Sequence, residues 1–177
     1  MRNKSQILNL KFQSGFTLIE LIVVFTVIAI LSTIGTISFV SYSRTQTLNQ
    51  TTNDLVQTLN TAKSLSASQL KTLNKNGKTW QCLDTQALNG YGVQINKTQK
   101  YYQLYIECIA NGVAASHTSI EWQTPLSDNI TITTNVTSVF FPVLSGGIIS
   151  DGESIALSSY GNTKTINLTN GYISVSP

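Results

Sequence analysis

One carboxylate stands alone in an apolar stretch near the start of this sequence. The segment Gly15-Phe16-Thr17-Leu18-Ile19-Glu20 opens an apolar run that continues to Val40, and Glu20 is its only ionisable side chain. A charged group in a membrane-length helix is costly unless a partner compensates it, so Glu20 is a candidate for ion pairing in an apolar environment. The alternative is that the carboxylate only extends to the cytoplasmic headgroups.

The apolar run that contains Glu20 is long enough to cross a membrane. Residues 16–40, at about 1.5 Å per residue, give roughly 37 Å of helix, against a hydrocarbon core of about 30 Å. Arg2, Lys4 and Lys11 precede the run without an acidic residue, and only Arg44 follows closely. This asymmetry predicts a single-pass protein with a cytoplasmic N-terminus and an extracytoplasmic remainder. A cleaved secretory signal and a plain membrane anchor are the alternatives.

The residues from Gly15 to Leu21 resemble the prepilin motif of type IV pilins and type II secretion pseudopilins. The resemblance implies a leader at residues 1–15, cleavage by a prepilin peptidase between Gly15 and Phe16, and methylation of the new amine of Phe16. It also implies that Glu20, at the fifth mature position, pairs with the N-terminal amine of a neighbouring subunit during assembly. Ile37 departs from the family pattern, because many pilins have a kinking proline there.

The partners implied by the resemblance are a prepilin peptidase, other pilin or pseudopilin subunits, an inner-membrane assembly platform, and the lipid bilayer before assembly. The protein would then be found in the cytoplasmic membrane and later in a periplasmic or extracellular filament. Nucleic acid is not an expected partner. Of the 11 basic residues, Arg2, Lys4 and Lys11 lie in the leader, which leaves eight bases and eight acids, and phosphate contacts need a basic face.

A second helical pattern follows the membrane segment, in residues 41–76. Its apolar positions recur every three or four residues, or at twice that spacing, on one face: Leu48, Leu55, Leu59, Ala62, Ser66, Leu70 and Leu73. The turn signal Asn74-Lys75-Asn76-Gly77 predicts the end of the helix, which would extend from Phe16 to about Leu73. This face is predicted to pack on a sheet, with a coiled-coil seam as the alternative.

Beyond Gly77 the period changes to that of β-strands, so residues 77–177 are predicted to form an extracytoplasmic β-rich domain. Tyr91–Ile95 and Tyr101–Cys108 are predicted to form a hairpin, and Tyr102, Leu104, Ile106 and Cys108 share one face of the second strand. Six further strands are predicted: Thr118–Gln123, Ile130–Thr134, Ser138–Val143, Ser154–Ser159, Lys164–Leu168 and Tyr172–Val175. A long helix followed by short strands indicates an α+β fold with an antiparallel sheet or two small packed sheets.

Cys82 and Cys108 are the only two cysteines. In an exported domain they are candidates for a disulfide that ties the segment after the helix to a central strand, and closing this loop would stabilise the fold by about 3 kcal/mol. Two buried free thiols are the alternative.

The sequence predicts no metal site, no cofactor and no enzymatic activity. His117, in Ala114-Ala115-Ser116-His117, is the only histidine and has no nucleophile motif beside it, so it is interpreted as a loop residue. The acidic residues of Ser150-Asp151-Gly152-Glu153 lack the spacing of a calcium loop and are interpreted as turn residues.

The later part of the chain resembles the pseudopilin H and minor pilin branch. The resemblance rests on Leu59-Asn60-Thr61-Ala62-Lys63-Ser64, on Phe140-Phe141 before a glycine-rich loop, and on Asn170-Gly171-Tyr172-Ile173 near the end. It implies a minor subunit that starts or caps a filament. A DNA-binding minor pilin is one alternative, but the arginines of that pattern are absent from Gly171-Tyr172-Ile173-Ser174. A membrane-tethered domain unrelated to filaments is the other alternative.

Overall fold

The computed structural model of the chain describes residues 15–75, 78–110, 113–133, 135–145, 147–169 and 171–177. The chain divides into two compact units, Met1–Ser41 and Tyr42–Pro177, and helix α1 (Leu18–Ala67) contributes residues to each. Of the predicted leader, all but Gly15 lies outside the described residues. One long helix followed by antiparallel strands confirms the predicted α+β class.

The strands of the second unit follow α1 in chain order. They are β1 (Thr72–Lys75), β2 (Lys78–Gln81), β3 (Ala87–Asn96), β4 (Tyr101–Ala110), β5 (Val113–Pro125), β6 (Thr131–Ile132), β7 (Ser138–Pro142), β8 (Ile149–Ser150), β9 (Ser154–Ser159), β10 (Asn162–Thr169) and β11 (Tyr172–Ser176). Each strand predicted from the sequence overlaps one of these, whereas β1, β2 and β8 were not predicted.

The strands form two main antiparallel sheets. One has the order β5-β4-β3-β7-β8, and the other has the order β11-β10-β9-β6, while β1 and β2 pair only with each other. The β3–β4 hairpin at the centre of the first sheet is the one predicted, and its register runs from Ala87 opposite Ile109 to Asn96 opposite Tyr101. A bulge between Leu88 and Gly90 interrupts this register.

Strand β4 is buried along both of its faces. The whole stretch from Tyr102 to Cys108 is buried, including Gln103 and Glu107, which do not share the face of Tyr102, Leu104, Ile106 and Cys108. These two residues have polar partners: Gln103 Nε2 donates to Gln94 Oε1 at 2.7 Å, and Asn89 Nδ2 donates to Glu107 Oε1. The alternation of polar and apolar residues does not reveal the burial of the polar ones, because it depends on contacts with other parts of the chain.

The first five residues of the predicted stripe on α1 are buried: Leu48, Leu55, Leu59, Ala62 and Ser66. These side chains join a core that also draws on both main sheets, through residues such as Tyr91, Ile106, Phe141, Ile155 and Ile166. Thr52 is buried as well, and its hydroxyl donates to the Leu48 carbonyl at 2.7 Å. Packing on sheets is therefore confirmed for this part of the helix.

The helix ends before the predicted position. Its last residue is Ala67, and Gln69 has φ = 53°, a left-handed conformation that ends many helices. Leu70 is 48% exposed and Leu73 belongs to β1, so neither continues the buried stripe. Lys75 of β1 pairs with Lys78 of β2, so Asn74 and Lys75 of the predicted stop signal belong to a strand and do not end the helix. Asn76 and Gly77 lie outside the described residues.

His117 lies in β5, where its backbone is opposite Glu107, so its interpretation as a loop residue was wrong. The side chain of His117 is outside the described residues. The predicted strand residue Thr134 is also outside them.

Candidate functional site

The predicted cleavage segment lies just before α1. Gly15, Phe16 and Thr17 precede the helix and are exposed, with Phe16 82% exposed. A Cβ atom added to Gly15 would meet no described atom within 4 Å. No steric contact among the described residues therefore requires a glycine at this position.

Thr17 begins the helix. The Glu20 amide donates to the Thr17 hydroxyl oxygen at 3.3 Å, and the Leu21 amide donates to the Thr17 carbonyl at 3.2 Å. This is the N-cap arrangement, and the spacing Thr17-x-x-Glu20 is that of a capping box. The sequence analysis missed this motif, although Thr and Glu three positions apart before an apolar run are its signature. Glu20 also lies in the first turn, where the helix dipole favours a negative charge.

The helix that follows presents its apolar side chains to the surroundings. From Leu18 onward it contains an 18-residue window of mean hydropathy 2.5, none of which is buried by the rest of the described chain. By length and composition this helix can cross a membrane. Within the described residues the Glu20 carboxylate has no ion pair or hydrogen bond. A partner for this carboxylate must therefore be sought outside the described chain.

The hydroxyl groups of this apolar segment are satisfied locally. Thr26 donates to the Val23 carbonyl at 2.8 Å and Ser32 donates to the Ile28 carbonyl at 2.7 Å. Thr33 and Thr36 make equivalent bonds to carbonyls three positions earlier. Because each of these four hydroxyls has an acceptor on its own helix, they do not oppose an apolar environment. The helix also continues through Ile37 without interruption.

Two polar side chains of α1 connect it to the sheets of the second unit. The buried Ser66 hydroxyl donates to the Phe141 carbonyl of β7 at 2.6 Å and accepts from the Tyr91 amide of β3 at 2.9 Å. Lys63 Nζ donates to the carbonyl of Gly171, in the turn between β10 and β11, at 2.5 Å. These contacts fix the distal half of α1 on both main sheets.

Cys82 and Cys108 are joined in a disulfide, with their Cα atoms 5.6 Å apart. Cys82 follows β2 and Cys108 lies in β4, so the bond ties the segment after the helix to a central strand. The structure therefore places the candidate site residues in two groups. Gly15, Phe16 and Glu20 belong to the first unit, and the two cysteines belong to the second.

The second unit offers little acid–base chemistry at neutral pH. Burial raises the pKa of Tyr91 to about 12, and burial, together with Glu107 and Asp151, raises the pKa of Tyr105 to about 12, so both phenols are neutral. A groove of about 300 Å³ between α1 and β4 is lined by Asp54, Thr58 and Tyr102 among others. Within the described ranges, no three His, Cys, Asp or Glu residues are grouped as metal ligands would be.

Residues 10–36 match the family model described as the prokaryotic N-terminal methylation motif. The match includes Gly15, Phe16 and Glu20 and ends within the apolar part of α1, so it covers none of the β-rich unit. No curated protein and no solved structure matches the chain. The motif and the apolar helix after it support the type IV pilin and pseudopilin class and fit a protein anchored in the inner membrane.

Proposed function

We propose that this chain is a minor structural subunit, a minor pilin or a pseudopilin, of a type IV pilus or of a type II secretion-like filament. A prepilin peptidase cleaves it between Gly15 and Phe16 and methylates the Phe16 amine. The β-rich unit lies on the extracytoplasmic side, and α1 moves from the bilayer into the filament core. The role is structural, and no catalytic residue is assigned.

One coincidence carries this proposal. The methylation motif covers the segment in which an exposed glycine, an N-capped helix start and a lone carboxylate are followed by an unburied apolar helix. The described fold accounts for the N-cap, but not for the glycine or the unburied apolar helix. An added Cβ at Gly15 meets no described atom, and the apolar side chains are not covered by the described chain. A processing enzyme, a bilayer and neighbouring subunits would account for all of them.

Cleavage is tested by measuring the intact mass and the N-terminal peptides of the protein from its own host. A chain that begins at methylated Phe16 is expected. Gly15→Ala should leave the chain uncleaved, because the methyl group meets no atom of the protein but would enter the peptidase subsite. Gly147→Ala is the matched control, since its nearest described contact, Ser145 Oγ at 3.6 Å, is ordinary packing. Retention of residues 1–15 in the unaltered protein would refute the proposal.

The role of Glu20 needs a second set of variants, because Thr17 and Glu20 also start the helix. Glu20→Ala and Glu20→Gln are expected to be cleaved normally and to enter filaments at least ten times less efficiently, since a buried amine in the filament would lose its counter-charge. Thr17→Ala removes the N-cap and keeps the carboxylate. Its incorporation, measured on sheared filaments, should stay near normal. Equal losses for Thr17→Ala and Glu20→Gln would assign Glu20 to helix initiation instead.

A further inference from the structure

A small surface of the second unit includes Arg44, which follows the apolar segment closely in the sequence. It consists of Arg44, Lys100, Asn129 and Tyr160 and is called the Arg44 surface below. Arg44 is four residues beyond Val40 in α1, a rise of about 6 Å at 1.5 Å per residue. If the apolar segment ends at the edge of the hydrocarbon core, Arg44 lies within or just outside the headgroup layer, which is about 5–8 Å thick on each side.

Contacts within the second unit connect Arg44 to a distant turn. The Arg44 guanidinium carbon lies 3.7 Å from the centroid of the Tyr160 ring. The Tyr160 hydroxyl donates to Asn129 Oδ1 at 2.9 Å, and Lys100 Nζ donates to the neighbouring Asp128 carbonyl at 2.6 Å. The loops that carry Lys100, Asn129 and Tyr160 are thereby held beside the part of α1 that follows the apolar segment.

The backbone at Tyr160 is unfavourable for a tyrosine. Tyr160 has φ = 49° and Gly161 has φ = 88°, which places two consecutive left-handed residues in the turn between β9 and β10. Asn, Asp or Gly is favoured at the first of these positions, and a bulky side chain there is an outlier. The β9–β10 hairpin itself does not explain the choice, because Tyr160 is 56% exposed and its described side-chain contacts are with Arg44 and Asn129.

The exposed groups of this surface match the chemistry of a lipid headgroup layer. Within the described part of the chain, the Arg44 guanidinium stacks on Tyr160 and has no hydrogen-bond acceptor, so its N–H groups are available to phosphate oxygens. Tyr160 is 56% exposed, and tyrosine rings are enriched at headgroup depth. Lys100 adds a second positive charge beside the Asp128 carbonyl.

We propose that the Arg44 surface binds the headgroups of an anionic phospholipid bilayer before the subunit enters a filament. Phosphate oxygens accept hydrogen bonds from Arg44, while Tyr160 lies at the level of the acyl esters. This contact holds the β-rich unit against the membrane. The inference rests on the membrane anchoring in the proposed function and adds a lipid-binding surface on the folded unit.

The test uses the full chain in nanodiscs of phosphatidylethanolamine and phosphatidylglycerol that contain a headgroup-nitroxide lipid. Paramagnetic relaxation of the Tyr160 and Gly161 amides is compared with that of Gly152 and Glu153. The latter pair lies at the other end of β9, roughly 20 Å away at about 3.3 Å per residue. We expect at least a five-fold larger enhancement at Tyr160 and Gly161, falling at least two-fold in phosphatidylcholine alone.

Arg44→Gln should reduce the enhancement at Tyr160 at least three-fold, because both the phosphate donor and the cation–π contact are lost. Lys164→Gln makes the same charge change within β10 and should leave the enhancement unaltered. Unchanged amide signals in β4 show that the variants are folded, and the two lipid compositions test the unaltered chain independently of them. Equal enhancement at both ends of β9, or no lipid dependence, overturns the inference. A chain that fails to insert into nanodiscs instead refutes the membrane anchoring in the proposed function.

Discussion

The two units use the same helix in opposite ways. Between Phe16 and Val40 the large apolar side chains of α1 whose burial is described are exposed, whereas beyond Tyr42 the side chains of Leu48, Leu55 and Leu59 are buried beneath strands. The backbone is α-helical in both parts, so local conformation does not make the difference. The second part packs on sheets formed by its own chain, and the first must find lipid or other subunits. An exposed apolar helix of this length therefore indicates a missing partner.

The two units also differ in the range of their hydrogen bonds along the chain. In the first unit, the hydroxyl hydrogen bonds donated by Thr26, Ser32, Thr33 and Thr36 join residues three or four positions apart. In the second unit, Ser66 contacts Phe141 and Lys63 contacts Gly171, which are 75 and 108 positions away. A helix held by local bonds keeps its structure when its surroundings change from lipid to protein. The structure of the second unit depends on contacts between residues that are far apart in the chain.

The largest expected effect comes from replacing Gly90 of the second unit with alanine, and the same replacement at Gly15 of the first unit serves for comparison. A Cβ atom at Gly90 would lie 2.2 Å from the Phe141 carbonyl oxygen and 2.7 Å from the Phe140 ring, so the β3–β7 pair would have to separate. We expect Gly90→Ala to lower the free energy of unfolding by about 3 kcal/mol. Chemical denaturation of the full chain in detergent, followed by intrinsic fluorescence, measures this loss. Gly15→Ala should leave the same curve unaltered, and a stable Gly90→Ala variant would contradict the described packing.

A smaller effect is expected from Ser66→Ala. The substitution leaves the Tyr91 amide and the Phe141 carbonyl without their partner at a buried site, which costs about 2 kcal/mol. Thermal unfolding of the full chain in detergent measures the change. Ser64→Ala is the control, because Ser64 is exposed on the same helix. If both variants unfold at the same temperature, Ser66 does not connect α1 to the sheet.

The smallest effect is expected at Asp151, which holds the turn before β7. Partial desolvation raises the pKa of Asp151, whereas hydrogen bonds from the Thr137 hydroxyl and amide and from the Ser138 amide lower it by a larger amount. The net pKa is therefore below its ordinary value of 3.8. The stabilisation is therefore present above the unfolded-state pKa and is lost as the pH falls through the folded-state pKa. These hydrogen bonds explain Asp151 as a turn residue without a calcium ion.

Asp151→Asn should lower the free energy of unfolding at pH 7 by less than about 1 kcal/mol, because solvent screens this largely exposed carboxylate. The difference from the unaltered chain should shrink as the pH falls through the folded-state pKa, because the carboxyl group then becomes protonated in the folded as well as the unfolded state. Denaturation curves at a series of pH values measure this dependence. A difference that does not change with pH would show that the carboxylate charge does not hold the turn.

The elements that the sequence predicts well are those with a local signal. The hairpin joining Tyr91–Ile95 to Tyr101–Cys108 and the stripe from Leu48 to Ser66 follow from periodicity, and both are present. The end of α1 was misplaced because Gln69 adopts a left-handed conformation without the glycine that normally marks one. The Tyr91 hydroxyl, 21 positions away, donates to the Leu70 carbonyl just beyond this end, a contact that no local pattern records.

The residues of the predicted cleavage segment required almost nothing from the tertiary structure. Gly15, Phe16, Glu20 and the apolar run were found from the sequence alone, because the methylation motif is one short continuous segment whose residues do not depend on how the rest of the chain folds. The structure added only the Thr17 cap to that part. In contrast, the connections of Ser66 and Lys63 to the sheets and the stacking of Arg44 on Tyr160 depend on which strands lie beside α1. Those contacts join residues far apart in the chain, so tertiary folding alone decided them.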